Sequence, residues 1–165
     1  MHVHKSGGGF MVIYDDLYKD SEKRKRKNYI LEKMTESYAK EIFEKIVEEF
    51  KKMNESLINN GHVTEVDSNT NSCTLKTKSP SNKGFDRILK YEVYPPYERY
   101  KNQHKYVIDE VITTELNGGL ILRNNVWDLT KEYGTYYLVS ENKKEVLTTE
   151  EMTKKSYQSL LEYIT

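Results

Sequence analysis

Between Asn28 and Ile58 an apolar residue falls every three or four positions: Leu31, Met34, Tyr38, Ile42, Ile46, Phe50, Met53 and Leu57. Phe43, Val47 and Ile58 widen the stripe, charges fill the other face, and neither Gly nor Pro interrupts it. The spacing predicts an amphipathic helix over 28–58. Asn59-Asn60-Gly61 closes it, because a glycine takes the left-handed backbone that ends a helix. At about 1.5 Å per residue the helix runs roughly 45 Å, longer than a small domain is wide. Either it kinks, or part of its stripe packs on a partner.

After Gly61 the period drops to two. Residues 62–67 and 73–78 alternate, with Asp67-Ser68-Asn69-Thr70-Asn71 as turn chemistry between them, which predicts a hairpin. Residues 79–84 read as a loop. Further strands are expected over 85–94, 105–116, 120–123, 126–131 and 135–140, with a turn at Asn124-Asn125. Thr148 and Glu151 have capping-box spacing, and Met152, Tyr157, Leu160, Leu161 and Ile164 form the stripe of a last helix. Ahead of the long helix, Phe10-Met11-Val12-Ile13-Tyr14 reads as an edge strand or docking segment, followed by a polar turn at Ser21. Residues 1–9, with three consecutive glycines, read as a flexible leader, and 10–165 as a single domain.

Helices and strands are segregated, so the expected class is α+β. It comprises a long N-terminal amphipathic helix, straight or kinked, a six- to seven-stranded antiparallel meander sheet, and a C-terminal helix packed on the sheet. Helix-grip and cone-shaped ligand-binding folds share this outline, an analogy of architecture that no residue motif carries.

The chain has 26 basic and 26 acidic residues and no net charge, so no global field draws it to nucleic acid or a membrane. A single alanine, Ala39, beside many Lys, Asn, Ile, Tyr and Glu looks like AT-rich coding, as in a bacterium or its phage. Cys73 stands alone, which excludes an internal disulfide and a Cys-based zinc site and suits an inert strand residue. No segment reaches the roughly 18 apolar residues of a membrane span, and the expected location is cytoplasmic.

Two surface features stand out. Lys23-Arg24-Lys25-Arg26-Lys27 precedes the helix and could hold phosphates, although cations at a helix N-terminus oppose its dipole. Tyr91, Tyr94, Tyr97 and Tyr100 recur every three residues around Pro95-Pro96. In a polyproline-type segment Tyr94, Tyr97 and Tyr100 would share one edge beside Arg99 and Lys101.

Catalytic signals are weak. His62 and His104 have no partner at metal spacing, and His2 and His4 lie in the leader. Glu65 and Asp67 share a strand face, while Asp109 and Glu110 point to opposite faces. Gly-x-Ser-x-Gly, phosphate-loop, dinucleotide and His-Glu-x-x-His motifs are missing from the sequence. No catalytic residue, metal or cofactor is therefore assigned.

The expected function is a non-catalytic protein-interaction module, such as an accessory, inhibitor or immunity-type factor. Leu31, Met34, Tyr94, Tyr97, Arg99 and Tyr100 would face a protein partner or a second copy in a homodimer. One alternative is nucleic-acid binding through Lys23, Arg24, Lys25, Arg26 and Lys27. Another is a small-ligand cup between sheet and helices.

Overall fold

The computed structural model describes residues 9–78, 86–114, 119–132, 135–141 and 145–164. Residues 1–8 of the expected 1–9 leader and the expected loop at 79–84 lie outside them, while Gly9 is the first residue of a helix. The element order is a helix α1 (Gly9–Asn59), strands β1 (Thr64–Ser68), β2 (Ser72–Thr77), β3 (Arg87–Tyr94), β4 (Val107–Thr114), β5 (Ile121–Glu132), β6 (Thr135–Ser140) and β7 (Val146–Leu147), and a helix α2 (Thr149–Ile164). The fold is α+β, and the seven strands form one antiparallel meander in sequence order. The chain divides into two units, residues 1–37 and 38–165.

Within residues 38–165 the sheet presents one face to the helices. Alternation along β2, β3 and β4 buries Cys73, Leu75, Leu89, Tyr91, Ile108 and Ile112. The register sets Cys73 opposite Tyr91 and Leu89 opposite Ile112, so these side chains share a face. Trp127, Leu129 and Leu138 continue that face across β5 and β6. Ala39, Ile46, Phe50, Met53 and Leu57 of α1 join the same cluster, as do Met152, Leu160 and Ile164 of α2. The Phe50 and Tyr91 rings meet with centroids 5.3 Å apart.

The helix ends follow local chemistry. Gly61 has φ +87°, its N–H donates to the Ile58 carbonyl, and the His62 N–H donates to the Leu57 carbonyl. These are the two bonds of a Schellman stop. At the start of α2 the Glu151 N–H donates to Thr148 Oγ1 at 3.3 Å, and the Thr148 N–H donates to Glu151 Oε1 at 3.3 Å. That reciprocal pair is the expected capping box.

Four expectations are corrected. Phe10–Tyr14 and the segment around Ser21 are helical, because α1 starts at Gly9 rather than Asn28 and spans 51 residues. Ile13, Tyr14, Leu17 and Tyr18 carry the three-and-four spacing into that region, and a short apolar run does not distinguish strand from helix. Asn124 and Asn125 sit inside a continuous β5, paired with Val111 and Glu110, so sheet pairing overrides their turn preference. Strand β4 starts at Val107 rather than at Lys105. The segment after Pro95-Pro96 is a turn and not a polyproline helix, since Tyr97 has φ 67°.

Candidate functional site

In residues 1–37 the notable surface belongs to α1. Ile13, Leu17, Leu31 and Met34 are 42%, 55%, 47% and 45% exposed, and Val12, Tyr14, Tyr18, Tyr29 and Ile30 are exposed as well. Helical spacing lines most of these up on two apolar stretches, 12–18 and 29–34, with the charged residues between them. Monomeric proteins rarely present so many large apolar side chains along one element without a use for them.

Lys23–Lys27 lies inside α1, well past its first turn, and not at its start. The expected conflict with the helix dipole therefore disappears, because that effect fades beyond the first turn. All five side chains are exposed, and successive residues of a helix point about 100° apart. No more than two or three can face one phosphate strand. Lys25 ion-pairs with Glu22 at 3.8 Å.

In residues 38–165 the tyrosine segment is organised by Gln103. Its buried amide nitrogen donates to the carbonyls of Tyr94, Pro95 and Lys105 at 3.2, 3.0 and 2.8 Å. Its oxygen accepts from the N–H of Arg99 at 2.9 Å. One side chain thus satisfies backbone groups that an irregular loop would leave bare. The Arg99 guanidinium lies over the rings of Tyr94 and Tyr100, 5.7 and 4.9 Å from their centroids, and pairs with Asp109. The Tyr94 hydroxyl donates to Glu92 at 2.6 Å. Tyr97 and Tyr100 remain exposed, and Tyr97 meets His104 edge-on with its hydroxyl 2.9 Å from Nδ1. The three tyrosines therefore do not form a single stacking edge. Arg99 joins two of them, and His104 holds the third.

Sequence reading missed the polar centre of the core. Glu110 has no exposed surface. Its carboxylate accepts from the Tyr91 hydroxyl at 3.1 Å, Arg123 Nε at 2.7 Å, Asn125 Nδ2 at 3.0 Å and the Ser156 hydroxyl. Tyr91 and Ser156 also touch through their hydroxyls. Burial, followed by the Glu110 charge, holds the Tyr91 pKa well above its ordinary value. A signal existed: Ile108, Glu110 and Ile112 alternate on one face, which puts a carboxylate on the apolar side of β4. Beside this network a cleft of about 260 Å³ is lined by Arg123, Asn125, Trp127, Lys155, Gln158 and Glu162, among others. The buried Trp127 indole N–H has no hydrogen-bond partner among the described residues.

Among the described residues no group of three or more His, Cys, Asp or Glu side chains is placed to hold a metal ion. No helix among them is long and apolar enough to cross a membrane. No protein-family model, no curated protein and no solved structure matches the chain.

Proposed function

We propose that the protein is an interaction module that docks another helix along the exposed stripe of α1. The observation that carries this reading is the run of large apolar side chains exposed between Val12 and Met34. A helix that keeps its apolar face in water gains nothing from packing, and propensity alone supports a long helix weakly. A partner helix that covers Ile13, Leu17, Leu31 and Met34 removes that cost, at about 25 cal/mol for each Å² of apolar surface withdrawn from water. Docking of an amphipathic helix is read through anchors spaced three and four apart, which this stripe supplies.

A photo-activated cross-linking residue placed at Leu31, and in a second variant at Lys33, which points to the opposite side of the helix, tests the reading in the cells that make the protein. Discrete adducts from position 31 and few from position 33 are expected. Equal labelling from both positions, or none from either, would overturn it.

A further inference from the structure

Within α1, Ile13, Leu17, Asp20, Arg24, Lys27, Leu31 and Met34 follow one another in alternating steps of four and three. That is the spacing of a coiled-coil seam, whose positions are ordinarily apolar throughout. Here the two ends are apolar and exposed, and the middle is charged. Three neighbouring charges on a seam call for a partner that offers the opposite sign in the opposite order.

This chain carries that order itself. Paired in parallel with a second copy, the middle layers would be Asp20 on Asp20, Arg24 on Arg24 and Lys27 on Lys27, each a like-charge layer. Paired antiparallel about a two-fold axis beside Glu22, Asp20 faces Arg24, Leu17 faces Lys27 and Ile13 faces Leu31. Symmetry supplies each layer twice. The Lys27 methylene stem would lie along Leu17, with its ammonium among the acidic residues that flank it, Asp16 and Asp20. Apolar ends then meet apolar ends, and Arg24 and Lys27 of the basic run meet the acidic stretch that precedes it.

Resting on the interaction reading above, we infer that the occupant of the stripe is a second copy of this chain, bound antiparallel through residues 13–31. The charged middle sets the direction of the pair, because the parallel arrangement is the one it penalises. Arg24 and Lys27 of the basic run then face acidic side chains of the other copy instead of a phosphate backbone.

Sedimentation of the full chain over a concentration series tests this, with variants at exposed positions that leave the core alone. A dimer is expected. Asp20→Arg alone and Arg24→Asp alone should each weaken it roughly tenfold or more, since each creates like-charge layers. The combined variant should restore it. On oxidation, an Ile13→Cys chain mixed with a Leu31→Cys chain should form a covalent dimer, while neither forms one by itself. A monomer at every concentration, a covalent dimer from Ile13→Cys alone, or no rescue by the combined variant would overturn the inference. A monomer whose position 31 still labels a different chain would sink the self-pairing and leave the interaction reading standing. A monomer that labels nothing would remove both.

Discussion

Glu110 sits in the core without exposed surface, and it is held there by four donors on one carboxylate. A buried charge is tolerable only when it is paired and hydrogen-bonded, and removing one side of such a pair leaves the other uncompensated. Glu110→Gln keeps the shape but turns an acceptor into a donor facing donors. It should cost about 3 kcal/mol, read as a lower urea midpoint. A loss well under about 1 kcal/mol would show that the network relaxes easily. Tyr91 adds a pH dependence. The core holds its neutral form, so its contribution is whole below the ordinary tyrosine pKa of about 10 and declines as the pH rises towards the elevated native value. Between about pH 9 and about pH 11 the wild type should lose more stability than Tyr91→Phe. An equal loss in both would place the alkaline sensitivity elsewhere. Burial, with the Asp67 charge as a lesser cause, pushes the Cys73 thiol up to about 12. The thiolate is the nucleophile, so iodoacetamide at neutral pH should leave the native protein unmodified and label it promptly in denaturant. Labelling of the native form at the denatured rate would contradict this.

Local chemistry sets most element boundaries, and it can be tested one cap at a time. Thr148 satisfies an N–H at the start of α2, and that helix carries Ser156 into the Glu110 network. Thr148→Ala should cost about 1 kcal/mol, measured by thermal or urea unfolding. No change would mean that burial of Met152 and Leu160 holds the first turn without the cap. Between β4 and β5 the constraint is steric. A methyl group at Gly119 would come within 2.0 Å of the Thr114 carbonyl oxygen. Gly119→Ala therefore forces the backbone to shift where the Thr114 N–H donates to the Leu120 carbonyl. The caps, the Gly61 stop, the hairpin and the two-residue period of the strands were all legible from neighbours in sequence. The length of β5 was not. Asn124-Asn125 has turn chemistry, but the Asn125 amide finds its acceptor on Glu110 across the ladder.

Every buried hydrophobic residue of the core cluster is numbered 39 or higher. A chain beginning at Tyr38 should therefore unfold cooperatively, with a stability within about 1 kcal/mol of the full chain's under conditions where the latter is monomeric. Loss of the cooperative transition would show that the earlier part of α1 is needed for folding as well as for association. The two stretches of α1 have the same amphipathic spacing, yet Ile46 and Phe50 are buried while Leu31 and Met34 are exposed. Periodicity reports that a face is apolar and is silent about what covers it. The helices, the strands, their alternation and the α+β class could be read from the chain alone because each depends on residues a few positions apart. The closing of Glu110 by Tyr91 and Ser156, the clamping of Arg99 on Asp109 and the division of one stripe into a core half and an exposed half could not. Each depends on which distant elements meet, and that is decided only when the sheet is assembled and the helices pack.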